Sequence, residues 1–291
     1  MVVGFLPPWI VAKGRLFATI GPSMVRSSDF SLFIMDKVAL ITGGATGIGF
    51  TIAEVFMRHG CDTIIASRKI EKLQKAAKAL EAGTGRKCLT VVMDVRKPQE
   101  VIQGVEKMMS EFGKIDILVN NAAGNFLCPA SSLSFNAFKT VIEIDTMGTF
   151  NVTKAVYDKA MQEKGGVIIN ISATLHYKGT ALQTHAASAK AAIDAMTKVM
   201  AVEWGPQGIR INCIAPGPID NTEGVRRLVG EMAKEYSNAI PLGRMGTRKE
   251  VGDSALFLAS NASSNITGTV IVADGGSWMG GSIMETMMSK L

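Results

Sequence analysis

Cysteine is scarce: the 291 residues hold four, at Cys61, Cys88, Cys128 and Cys213. They are scattered, with no CxxC and no Cys/His metal spacing, which argues against a disulfide framework or a metal site. Reduced thiols in a reducing compartment are expected. Long apolar runs are missing too: no stretch reaches the ~18 consecutive apolar residues of a membrane span. Neither an internal repeat nor a long linker breaks the chain. Charge of one sign is not in large excess. The 31 Lys+Arg against 25 Asp+Glu, formally +6, suit an anionic cofactor or substrate. That excess is too diffuse to argue nucleic-acid binding, and no DNA or RNA recognition motif accompanies it.

What is present is alternation. With 47% apolar and 19% charged residues, the chain can form one large domain with a full core. Strand-like runs at 38–42, 63–67, 88–93, 115–120, 166–171, 209–214 and 269–272 are separated by helix-period segments at 50–59, 70–82, 99–112, 135–159, 186–204 and 249–258. Strands joined by helices of this length predict an α/β fold: a single doubly wound, Rossmann-type domain with a parallel sheet covered on both faces.

The first strand runs into Thr42-Gly43-Gly44-Ala45-Thr46-Gly47-Ile48-Gly49 and then a helix. Glycines between strand and helix let a pyrophosphate approach the backbone, and the helix start supplies N–H groups and a positive dipole end. Thr42, Gly43, Gly44, Thr46, Gly47, Ile48 and Gly49 are therefore expected at a dinucleotide. The second strand ends in Ser67-Arg68-Lys69, where an acid would normally hold two ribose hydroxyls. Arg68 instead offers a fork for a 2′-phosphate, favouring NADPH over NADH; the plainer alternative is a solvated Arg-Lys pair. Asp94 is placed to accept from the adenine amino group. Asn121 and Ala122, in Asn120-Asn121-Ala122-Ala123-Gly124, read as the floor of the adenosine site. Pro216-Gly217-Pro218-Ile219 forms a turn against the nicotinamide carboxamide and phosphates, with Thr222 adding a phosphate hydrogen bond.

The order and spacing of residues 42–49, 121–124, Ser172, Lys190 and Pro216-Gly217 resemble the classical short-chain dehydrogenase/reductase family, over residues 36 to about 276. The resemblance implies that Lys190 holds the nicotinamide ribose. It also implies a tyrosine acid four residues earlier, and that position is Ala186. A closer similarity, to the dienoyl-CoA reductase branch of that family, accounts for the gap. It rests on Phe56-Met57-Arg58-His59-Gly60-Cys61, on Ala122-Ala123-Gly124-Asn125-Phe126-Leu127-Cys128-Pro129-Ala130 and on Leu133-Ser134-Phe135-Asn136-Ala137-Phe138-Lys139-Thr140.

That branch implies NADPH and an acyl-CoA substrate. Hydride would go to C5 of a 2,4-dienoyl thioester and a proton to C2, giving a 3-enoyl-CoA. Asp145, where most of the wider family has asparagine, would replace the tyrosine as the proton-handling group, through a water near Lys190. Phe126, Ser134, Phe135 and Asn136 would line the thioester and acyl site, and Ser172 would orient substrate or water. Arg68, Arg96 and Arg227 are candidates for substrate phosphates, with Arg226 competing. Residues 222–248 would form a substrate lid, and Ala273-Asp274-Gly275-Gly276 would support subunit packing in a homotetramer.

Tyr177 and His185 remain alternative proton donors. A carbonyl or 3-ketoacyl-CoA reductase is the competing enzyme class; a nucleotide-binding regulatory or scaffold protein is the non-enzyme alternative. Residues 1–34 read as an extension outside the domain at 35–279, disordered or, with Lys13, Arg15 and Arg26 following an apolar stretch, a mitochondrial presequence. The tail 280–291 ends in Ser289-Lys290-Leu291, an address read by the peroxisomal import receptor.

Overall fold

The computed structural model describes residues 32, 34–228 and 233–280. The expectations for residues 1–31 and for Ser289-Lys290-Leu291 lie outside the described residues. Seven parallel strands form one sheet in the order β3-β2-β1-β4-β5-β6-β7. They are β1 (Val38–Thr42), β2 (Asp62–Ser67), β3 (Cys88–Val92), β4 (Ile117–Asn120), β5 (Gly166–Ile171), β6 (Ile209–Pro216) and β7 (Val270–Ala273). The helices between them are α1 (Gly47–Arg58), α2 (Ile70–Thr84), α3 (Pro98–Phe112), α4 (Phe135–Ile142), α5 (Gly148–Val156), α6 (Thr184–Trp204), α7 (Glu223–Leu228), α8 (Ala233–Asn238) and α9 (Arg248–Ala259).

Both sheet faces are buried because each central strand is apolar at successive positions, and successive side chains leave opposite faces. Ile41, Ile65, Val119 and Ile169 pack with Ile52 and Phe56 of α1, Leu73 of α2 and Val251 of α9. Their neighbours Leu40, Ile64, Leu118 and Ile168 pack on the other side with Val101 and Val105 of α3 and Val152 and Val156 of α5. Register aligns these rows: Leu40 stands beside Ile64 and Leu118, and Leu118 beside Ile168. Each such fully buried side chain contributes about 1.5–3 kcal/mol relative to exposure. The strand order reverses between β1 and β4, which opens a crevice at the carboxyl ends of both.

One stretch differs from the sequence-based expectation. Residues 135–159 are not one regular helix: α4 and α5 are joined by a π-helical turn, Glu143–Met147, with Asp145 at its centre. A second π turn follows at Tyr157–Met161. Gly148 lets the helix run close to the segment after β3, since an added Cβ would lie 2.6 Å from Val95 Cγ2. Within the 222–248 segment stand two short helices, α7 and α8.

Candidate active site

The crevice has two connected chambers. The outer one, of about 610 Å³, is lined by the glycine turn and by Arg68, Lys69, Lys72 and Asp94. The inner one, of about 330 Å³, is lined by Asn125, Asp145, Ser172, Gln183, Ala186 and Lys190 among others. Asn121, Ala123, Asn125 and Gly224 belong to both.

The outer chamber is shaped by backbone. Gly43 and Gly47 have φ of 66° and 60°, a conformation that side chains other than glycine resist. Gly49 is closed in differently: an added Cβ would lie 2.5 Å from Asn121 Nδ2 and 2.7 Å from the Gly43 carbonyl. Thr46 stands at the N-cap of α1 without a side-chain cap bond, so the first-turn N–H groups face the turn. Beside Gly47 nothing lies within 4 Å of an added Cβ. An open, N–H-rich cradle with three basic side chains at its far end fits the diphosphate and phosphorylated ribose of a nicotinamide dinucleotide.

Thr42 is a correction. It is buried, and its hydroxyl accepts from the N–H groups of Asn121 (2.9 Å) and Ala122 (3.0 Å). It holds the turn to the β4 loop rather than facing the crevice. Asn121 completes the tie by donating through Nδ2 to the Thr42 carbonyl at 3.0 Å. Arg96 turns to Asp94. Its guanidinium grips both oxygens of Asp94 at 2.5–3.1 Å, which holds the Asp94 carboxyl below the ordinary carboxylate range. Arg96 so paired still keeps Nη1 out of the bond to Asp94, and Asp94, although it lines the chamber, already has a donor on each oxygen.

The inner chamber is made by side chains converging from four directions. Asp145 is 1% exposed. One carboxylate oxygen accepts the Gly124 N–H at 2.7 Å and the other pairs with Lys190 Nζ at 3.0 Å. Lys190 also donates to the Ile171 carbonyl at 3.0 Å, and its third N–H is left for the chamber. Ser172 lines the same wall, its hydroxyl 3.4 Å from the Lys190 carbonyl. Ala186 lines it too, leaving space where the wider family would carry a tyrosine. Pro216, Gly217, Ile219 and Thr222 close the side formed by β6. Thr222 donates to the Ile219 carbonyl at 2.8 Å, which fixes the entry to α7.

Several expected substrate residues lie elsewhere. Ser134 caps α4, accepting from the Ala137 N–H. The helix so started leaves Phe135 98% exposed and Asn136 exposed, and neither lines a chamber. Phe126 packs its ring on His185, with centroids 4.2 Å apart, while its neighbours Asn125 and Leu127 face the chamber. His185 is fully buried and lines neither chamber, and burial pushes its pKa down, which favours the neutral ring. Tyr177 lies outside the chamber lining, its hydroxyl 3.5 Å from Asp194. Burial, and after it Asp194, pushes its pKa up to about 12. The Arg227 side chain falls outside the described residues. Residues that sequence reasoning missed are Gln183, Leu175, Lys178 and Trp278, all lining the inner chamber. Gln183 carried a signal: it precedes Ala186 by three positions and Lys190 by seven, one helical face.

A seven-stranded parallel sheet, a glycine cradle at its switch point and a lysine on the following long helix define a nicotinamide-dependent oxidoreductase. The sequence model described as Enoyl-(Acyl carrier protein) reductase matches residues 43–277, and the chain belongs to the short-chain dehydrogenase/reductase family, whose members use NAD(P)H. Among its relatives is the peroxisomal 2,4-dienoyl-CoA reductase [(3E)-enoyl-CoA-producing] of Danio rerio, 61% identical over 248 residues, covering 84% of this chain and 83% of that one. The Saccharomyces cerevisiae peroxisomal 2,4-dienoyl-CoA reductase SPS19 is 43% identical over 269 residues, covering 88% and 92%. A solved short chain dehydrogenase from Bacillus anthracis superposes with a TM-score of 0.76 at 42% identity, covering 83% of this chain and 96% of its own.

Proposed function

We propose that the protein reduces 2,4-dienoyl-CoA to 3-enoyl-CoA with NADPH, as an auxiliary step in the oxidation of unsaturated fatty acids in peroxisomes. The observation that carries this reading is the pairing of Ala186 with a buried Asp145–Lys190 couple in one chamber. Reducing a ketone leaves an alkoxide that needs an acid at the carbonyl oxygen, and the usual tyrosine for that task is absent. A conjugated dienoyl thioester has no such need. The kinship with dienoyl-CoA reductases supports both the substrate and the compartment.

The reduced nicotinamide supplies a hydride to C5 of the dienoyl chain. The chain's own residues handle the resulting charge and the proton. Lys190 positions the ribose and presents positive charge beside the developing enolate. Asp145 is oriented by the Gly124 N–H, so a water entering the chamber meets a fixed carboxylate and the third Lys190 N–H. That water would protonate C2, with Asp145 and Lys190 restoring its proton. The largely apolar chamber walls exclude bulk water from the enolate.

NADPH rather than NADH is favoured by Arg68, Lys69 and Lys72 around the outer chamber. A homotetramer is supported by exposed apolar side chains: Met147 at the end of the π turn, Phe150 in α5, and Val199 and Val202 on α6. The test of the function is purified protein with NADPH and a panel of acyl-CoAs. Reduction of 2,4-dienoyl-CoA to the 3-enoyl product, identified by mass spectrometry and NMR, is expected. Efficient 3-ketoacyl-CoA reduction without dienoyl reduction would overturn the reading.

A further inference from the structure

Gln183 immediately precedes α6 and shares the face of Ala186 and Lys190 that lines the inner chamber. It is 2% exposed, and its side-chain oxygen Oε1 has no hydrogen-bond partner. A buried amide oxygen left without a donor is destabilising. Among the described residues, few buried side-chain oxygens share that state, and Gln183 is the one that lines the inner chamber. The oxygen is closed to solvent as it stands, so a turn of the amide toward the chamber, where a ligand brings a donor, removes the cost.

The chemistry of the reactants narrows what that donor is. The dienoyl chain and the thioester carry acceptors and C–H bonds only. The nicotinamide carboxamide has its expected place at the 216–219 turn. The pantetheine arm of coenzyme A carries an amide N–H four bonds from the thioester carbon. Gln183 stands about 10 Å along the helix axis from Lys190, and Ala186 between them leaves the wall open for the thioester to pass. We propose that Gln183 reads the pantetheine arm, its Oε1 accepting the amide N–H nearest the sulfur. This rests on the dienoyl thioester reading above and adds a residue that tells pantetheine thioesters from other thioesters.

The test uses the full-length protein with NADPH and two small substrates. One is the 2,4-hexadienoyl thioester of N-acetylcysteamine, which keeps the amide; the other is its isostere with the N–H replaced by an ester oxygen. The quantity read is the ratio of their kcat/KM values or, where turnover of these short thioesters is slow, the ratio of their inhibition constants against dienoyl-CoA. The wild-type protein is expected to favour the amide by about tenfold. In Gln183→Leu, and in Gln183→Met should the first variant fold poorly, the amide thioester should fall to the level of its isostere. An undiminished ratio in the variants, or equal losses on both thioesters as a water- or cofactor-holding role would give, overturns the assignment. Absence of dienoyl-CoA turnover in the wild type sinks the functional reading instead, and the ratio of inhibition constants, taken as direct binding constants in that case, still decides the role of Gln183.

Discussion

At the outer end of the crevice the chain offers backbone: three glycines, a helix start and a loop tied by Thr42 and Asn121. At the inner end it offers side chains brought from the π turn, the end of β5, the face of α6 and the turn after β6. The difference sets how each half tolerates change. A backbone cradle is damaged by adding atoms, because the ligand and neighbouring backbone must come close. A side-chain chamber is damaged by removing them, because each group holds another in place. Asp145, Lys190 and the Ile171 carbonyl form such a mutual arrangement.

Lys190 pairs with Asp145 and is the proposed holder of the cofactor ribose, so its loss should give the largest effect. Lys190→Met is expected to lower dienoyl-CoA turnover by about 10³-fold or more, because cofactor positioning and proton delivery fail together. It also leaves Asp145 buried without its cation, a loss of about 3–5 kcal/mol in stability. Steady-state rates and chemical denaturation measure the two; full stability with lost activity would separate the pair from the fold.

Mutations in the outer half should spare the chemistry. Arg68→Ala is expected to weaken NADPH binding by about 10- to 100-fold, the worth of a charge-assisted phosphate contact, and to leave NADH binding nearly as it was. A matched titration with both cofactors checks this; equal losses would remove Arg68 from the 2′-phosphate. Within the cradle, Gly49→Ala should harm cofactor affinity more than Gly47→Ala. The first drives a methyl into Asn121 and the Gly43 carbonyl, while the second meets open space and pays only for its φ of 60°, about 1 kcal/mol or a fivefold loss. Equal effects would mean that crowding by Asn121 does not shape the cradle.

The smallest effect is expected at Tyr177. Its hydroxyl faces Asp194, and with a pKa pushed up to about 12 it stays protonated throughout the working range. Tyr177→Phe should change turnover by no more than about twofold and leave the pH–rate profile between pH 6 and 10 unaltered. A lost alkaline limb in that variant would return Tyr177 to the mechanism.

The two halves were also unequally legible in the sequence. Gly43, Gly47, Gly49 and Arg68 act through local chain geometry, and strand, turn and helix are contiguous, so their spacing disclosed them. Asp145 and Lys190 were legible because a family pattern marked their positions; the π turn that centres on Asp145 was not, since nothing in residues 135–159 breaks helical periodicity. The acyl wall was the least legible. Ser134, Phe135 and Asn136 carry suitable side chains, but Ser134 is used as a helix cap and the other two are turned to the surface. Arg96 grips Asp94 in a bidentate bond, a pairing two residues apart that spacing alone does not decide.

The central claim is that Asp145 supplies the proton-handling function that Ala186 cannot. Asp145→Asn tests it most directly, because the amide keeps the side chain's size and one of its two acceptor oxygens while losing the capacity to exchange a proton. The measurement is dienoyl-CoA turnover set beside NADPH affinity in the same preparation. A fall in turnover of about 10²- to 10⁴-fold, with affinity within about twofold of wild type, is predicted. Turnover close to wild type would contradict the account.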